Sequence, residues 1–283
     1  MVLADARFML MIFVYSGFWI LYFQNFGTVL WYLRDVVDKA PVSAAVTALL
    51  QRLGLDVTFR FDIEHVTVIN AGTIVLLQVI VSRIVATRPA LPTMITGMLL
   101  GAVGFALLAT STSAWVFIAG IVVFSLGEMT AHPKYYSFIG LVAPPDRKAV
   151  YMGYAFLYGV FGALLGSNIG AFLYARMIEP VLHTAAVAGR ARLFWLLFAV
   201  LDVCAAGALV LFFRKFETDT PATRRSAARA MRLVYGLIIL LGGIFLAVGL
   251  SGSPVQYRTV VQAVIFVALG TGGIVVNRRG MPA

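Results

Sequence analysis

The stretch LPTMITGMLLGAVGFALLATSTSAWVFIAGIVVFSLGEMTAHPKYYSFIG, residues 91–140, holds two apolar runs, 91–111 and 114–140, parted by a short Thr/Ser turn. Each is long enough to cross a hydrocarbon core of about 30 Å as a helix rising about 1.5 Å per residue. Neither alternates apolar with polar residues, as the strands of a membrane barrel do. A bilayer offers no water to unpaired backbone groups, so runs of this kind resolve as helices. Within these fifty residues the acidic and basic side chains are Glu128, His132 and Lys134.

The same texture recurs outward in both directions. Further apolar runs fall at 7–33, 66–87, 149–177, 193–213, 231–250 and 259–276, making eight expected spans. Hydrophobic residues are 61% of the 283-residue chain and charged residues 12%. Soluble domains have roughly 45–50% and 25%, so this chain has too little polar surface to clothe its apolar area. A water-soluble globule is excluded, and the expected class is an all-α integral membrane protein.

The formal charge of +10 does not mark a nucleic-acid partner, because binding needs basic residues clustered on one folded face. Here they sit in short loops, where they set orientation. With the N-terminus cytoplasmic, 14 of the 22 basic residues fall inside, and four of the remaining eight lie in the long 34–65 segment, which counts for little in this rule. Both termini are therefore expected inside a cytoplasmic or plasma membrane. The single Cys204 lies in an apolar run, so the chain has no internal disulfide framework. The first run is too long, and lacks the small-residue exit, for a cleavable signal peptide, so it reads as the first span.

Two connecting segments have character of their own. In the outer segment 34–65, Val42, Val46, Leu49, Leu50 and Leu53 recur at helical spacing over too few residues to span, which predicts a short surface helix. The stretch 216–230 reads as a basic cytoplasmic linker, parting a six-span block (1–215) from a two-span appendix (231–283).

Polar groups at lipid depth call for a buried partner or a use, because an ionisable side chain there costs about 2.5–3.5 kcal/mol. Glu128 and His132 are one turn apart and share a helix face, with Pro133 removing a backbone donor beside them. Such a pair can pass a proton, hold a cationic group or fix helix packing. Asp202 has no basic residue within one turn, so any partner must come from another helix or chain. Gln24 and Asn25 sit among Phe18, Trp19, Tyr22, Phe23 and Phe26, while Asn70, Gln78 and Asn168 are isolated in other spans. Amides suit either solute contact or interhelical hydrogen bonds. Gly162, Gly166 and Gly170 form a stripe at four-residue spacing, the signature of a close helix interface whose partner is expected in this chain or outside it. No H-E-x-x-H, G-x-S-x-G, P-loop or paired-cysteine motif occurs, so neither an enzyme nor a metal or cofactor site is expected.

The stretch GEMTAHPKYYSFIGLVAPPDRKAVYMGYAFL, residues 127–157, resembles the tenth helix and following loop of proton-dependent oligopeptide transporters in the major facilitator superfamily. The pattern is carried by Gly127, Glu128, Pro133, Ala143, Pro144, Met152 and Gly153. The first span resembles the family's seventh helix, with Phe18 and Trp19 ahead of Gln24, and Asn70 stands where the eighth helix of the family has an Asn. Residues 7–215 would then correspond to helices seven to twelve.

That resemblance implies roles. The seventh and tenth helices line the cavity, so Gln24, Asn25 and Glu128, with Asn70 beside them, would face solute. Glu128, with His132, would take part in proton coupling or meet a positive group. The eighth and eleventh helices meet the other half, so the stripe Gly162, Gly166 and Gly170 would face it. Asp202 would lie on an outward helix, covered by the appendix. The family's E-x-x-E-R motif belongs to its first helix and has no counterpart here. The expected function is half of a proton-coupled secondary transporter of a small polar or peptide-like solute, completed by an N-terminal half or a second copy of the chain. The alternative is a non-transporting membrane scaffold or interaction subunit derived from such a half.

Overall fold

A computed structural model describes residues 2–216, 218, 220–251 and 257–279, with the side chains of Arg258 and Arg279 excepted. The protein is an all-α membrane protein, and among the described residues eight helical segments are long and apolar enough to cross a bilayer. In chain order the helices are α1 (Ala6–Tyr22), α2 (Thr28–Asp35), α3 (Ala40–Arg52), α4 (Glu64–Val85), α5 (Ala90–Leu108) and α6 (Ala114–Val142). There follow α7 (Lys148–Ala155), α8 (Leu157–Met177), α9 (Val187–Phe216), α10 (Pro221–Ser251) and α11 (Tyr257–Arg279). Contacts group them into two units, 14–210 and 1–13 with 211–283.

In the first unit α5 and α6 cross almost backbone to backbone. A Cβ at Gly97 would lie 2.6 Å from the Gly127 carbonyl, and one at Gly104 2.7 Å from the Gly120 carbonyl, so neither position has room for a larger residue. Small residues at such points are what allow membrane helices to gain dispersion contacts that lipid would otherwise supply. Aromatic rings fill the space beside this crossing: Phe105 meets Phe124 and Trp195, and Trp195 meets Tyr32.

The first apolar run is not one helix. It breaks into α1, a 3-10 turn over Phe23–Phe26, and α2, with Gly27 at the joint. The 34–65 segment does contain the expected short helix, α3. Ser43 and Thr47, one turn apart on α3, accept from the backbone N–H of Phe61 and Phe59 and hold an extended strip against the helix. Asp38 exchanges backbone hydrogen bonds with the α5–α6 turn through Thr112 and Ala114.

In the second unit α10 and α11 form a hairpin. Gly242 approaches the Ala263 carbonyl, Gly270 the Tyr235 carbonyl, and Gly273 the Tyr235 ring. The basic stretch expected as a linker is helical from Pro221, and Arg224, Arg225 and Arg229 lie on the first turns of α10. The cause is local. Thr220 and Thr223 exchange hydrogen bonds between side-chain oxygen and backbone N–H at 2.9 and 3.2 Å, with Pro221 at the first helical position.

Candidate functional site

α6 carries the chemistry. Ser125, Glu128 and His132 are spaced three and four residues apart, so they share one face. Asn70 of α4 reaches that face with its amide nitrogen, donating to Ser125 Oγ at 2.8 Å and to Glu128 Oε2 at 3.2 Å. Ser125 in turn donates to the Ile121 carbonyl at 2.8 Å. The single NH2 of Asn70 thus fixes Glu128 relative to Ser125. Among the described residues no cation forms an ion pair with Glu128. Glu128 is half-buried, and Tyr22 lies within its electrostatic range.

His132 shares the face but makes no hydrogen bond to Glu128; rings enclose it. The centroids of Trp19, Tyr136 and Tyr158 lie 5.0, 5.1 and 5.7 Å from the imidazole, all edge to face. Its Nδ1 is buried without a partner. Trp19 continues the wall to Tyr22 at 4.5 Å, so the imidazole box and the Glu128 carboxylate lie along one aromatic surface. Pro133 follows inside α6, which continues to Val142.

Gln24 is placed differently from a solute-facing amide. It is 1% exposed, and its NH2 donates to the Ile20 carbonyl at 2.7 Å and the Gly166 carbonyl at 2.9 Å, while its Oε1 accepts from Thr28 at 2.8 Å. Ile20 O is the acceptor that the 3-10 turn frees from the α-helical pattern, and Gln24 itself satisfies it. Asn25, 6% exposed, is its opposite: neither polar atom of its amide has a partner among the described residues. Asn168 and Gln78 bond within their own helices, to the Leu164 carbonyl and to Ser82.

The glycine stripe does not face outward to a missing half. A Cβ at Gly162 would strike Trp19, one at Gly166 would lie 2.8 Å from the Ile20 carbonyl, and one at Gly170 would strike the Gln24 side chain. The stripe is the seat of the broken first span within this chain. The four-residue period reveals a close approach, whereas the identity of the approaching helix is tertiary information. Asp202 likewise does not face outward. It is wholly buried, and its Oδ2 lies 3.0 Å from where a Gly101 Cβ would stand.

Ser125 and Lys134 are further polar residues of α6 whose partners are not visible in the sequence. Lys134 is 8% exposed and donates to the Ala86 and Arg88 carbonyls at 3.0 and 2.8 Å, tying α6 to the turn between α4 and α5. Among the described residues no group of three or more His, Cys, Asp or Glu is placed to hold a metal. Comparison of the chain with protein-family models, with curated proteins and with solved structures finds no match.

Proposed function

We propose that this chain is one half of a major-facilitator-type secondary transporter, closest to the proton-dependent oligopeptide transporters. In this reading it works by alternating access once a complementary half or a second copy closes the cavity. The carrying observation is Glu128: a half-buried carboxylate midway along a membrane helix, held by one neutral donor from α4 and lacking an ion-pair partner among the described residues. An intramembrane carboxylate with spare acceptor capacity suits a proton or a cationic group on a small polar or peptide-like solute. The broken first span beside it fits the discontinuous helices that surround midplane sites in transporters. α4 leaves Val68, Val75, Leu76 and Val79 exposed, the apolar face that a complementary half would cover.

In this reading Glu128 takes and releases the coupled proton, and the His132 box beside it is the second group able to carry one. One charge moved inward contributes about 2.3 kcal/mol per 100 mV of membrane potential. The test is proton entry into proteoliposomes holding the gently extracted native complex, read by a trapped pH dye as small polar and peptide-like solutes are added. Solute-dependent acidification in wild type and none in Glu128→Gln supports the role. Unchanged proton entry in Glu128→Gln sinks it.

A further inference from the structure

The buried face of α9 carries Phe194, Trp195, Phe198, Asp202, Ala206 and Leu209. One carboxylate interrupts an otherwise apolar and aromatic stripe, halfway along a 30-residue helix. Asp202 is 0% exposed, and neither carboxylate oxygen has a hydrogen-bond partner among the described residues. Its surroundings are closely packed. A Cβ at Gly101 of α5 would stand 2.8 Å from the Phe18 ring of α1 and 3.0 Å from Asp202 Oδ2, and Gly17 of α1 meets Ala205 one turn further along α9.

An ionised carboxylate in such a seam would lack water, hydrogen bonds and a counter-ion together, a combination that folded proteins avoid by neutralising the group. The groups able to alter this are few. α5 carries no titratable side chain, and α1 brings Tyr15 within electrostatic range. On α9 the nearby Cys204 is exposed. A metal cation needs several oxygen ligands, and no group of three or more His, Cys, Asp or Glu forms among the described residues.

We propose that Asp202 is a proton-binding site whose proton locks the seam of α1, α5 and α9. With the proton bound, the carboxyl is neutral and the Gly101 face of α5 closes over it. When the proton leaves, the carboxylate requires water, which reaches it only when α5 and α9 part. The site is separate from the Asn70–Glu128 pair, and the inference holds whether or not the chain transports a solute.

The test uses the full chain in lipid vesicles. Infrared spectra at neutral pH should contain the C=O stretch of a protonated carboxyl in apolar surroundings, absent from Asp202→Asn. Amide hydrogen exchange around Gly101 and Asp202 should then be followed from pH 6 to 8 in both proteins. Opening that releases one proton grows about tenfold per pH unit, so exchange in wild type should rise by that factor relative to Asp202→Asn at each pH. The asparagine is close in shape and neutral, so its seam should stay closed across the range. Absence of the infrared difference, or the same pH response in both proteins, overturns the proposal. Suppression of the band by sodium at constant pH would also overturn it, in favour of a metal cation.

Discussion

The side-chain amide of Gln24 donates to the backbone carbonyl of Gly166 at 2.9 Å, across 142 residues of sequence. It can do so only because position 166 has no side chain: a Cβ there would lie 2.8 Å from the Ile20 carbonyl that Gln24 also serves. The break in the first span and the glycine stripe of α8 are therefore one feature. The stripe lets α8 approach closely enough to accept from the amide that repairs the break.

Replacing either partner should weaken the fold. Gln24→Leu leaves the buried Ile20 carbonyl without the donor that repairs the break and removes a second donor from the Gly166 carbonyl, which keeps its helical partner, at about 1–3 kcal/mol for a buried group left unpaired. Gly166→Val overfills the contact and should cost about 1–3 kcal/mol through displaced backbone. Both should lower the thermal midpoint of the purified protein in detergent. The double variant should cost less than the sum, because the two changes break the same contact. Full additivity would show that the two positions act independently.

Asn70 and Glu128 should be energetically coupled. Interhelical polar pairs in membrane proteins contribute about 0.6 kcal/mol on average and up to about 1.7. A double-mutant cycle with Asn70→Ala and Glu128→Ala, followed by denaturant unfolding in mixed micelles, should return a coupling inside that range. Ser125→Ala should reduce the cost of Asn70→Ala, since Asn70 also donates to Ser125. A coupling of zero would mean that the 3.2 Å contact does not form in the folded protein.

The span count was legible because length and apolar content alone decide it, as Ala90–Leu108 and Ala114–Val142 illustrate. What the sequence withheld depended on who meets whom. The period of Gly162, Gly166 and Gly170 announced a close approach, but both an outside partner and Trp19, Ile20 and Gln24 of the same chain satisfy that period. Gln24 looked available for solute because its aromatic neighbours are visible in sequence, while its acceptors Ile20 O and Gly166 O are not. The start of α10 is written locally in Thr220, Pro221 and Thr223, a helix-start signature that the run of charges after it masks. Glu128 stood out because carboxylates at lipid depth are rare. Asn70, 58 residues earlier, was tied to it only through a family resemblance.

The 34–65 segment should loosen in acid. The Lys39 ammonium 3.2 Å from Asp62, with the Ile63 N–H bonded to the same carboxylate, holds the Asp62 carboxyl below its ordinary value. A carboxyl whose value is lowered by folding stabilises above its unfolded value, near 4, and loses that contribution as pH falls through the folded one. The pair is partly exposed, so the effect is at most about 1 kcal/mol and shrinks with salt. Pepsin digestion between α3 and α4 should accelerate from pH 5 to pH 3 in wild type relative to Asp62→Asn at the same pH. Asp35 behaves alike through Arg34 and the Tyr174 hydroxyl. Digestion that accelerates equally in both proteins would dismiss the Lys39 pair as its cause.

Lys134 gives the largest expected effect among the basic residues. Its ammonium is buried and ends on the Ala86 and Arg88 carbonyls just past the C-terminus of α4, where unpaired carbonyls and the helix dipole both favour a cation. Lys134→Met keeps most of the side-chain volume but removes the donors, and should cost about 1–3 kcal/mol. The loss should appear as faster amide exchange in the turn between α4 and α5, with α10 and α11 unaffected. Arg147→Gln removes an exposed ion pair with Asp146 and should shift stability by less than about 0.5 kcal/mol. If Lys134→Met matched Arg147→Gln, the two carbonyls would have to be satisfied without it, and the tie between α6 and the α4–α5 turn would rest on side-chain packing alone.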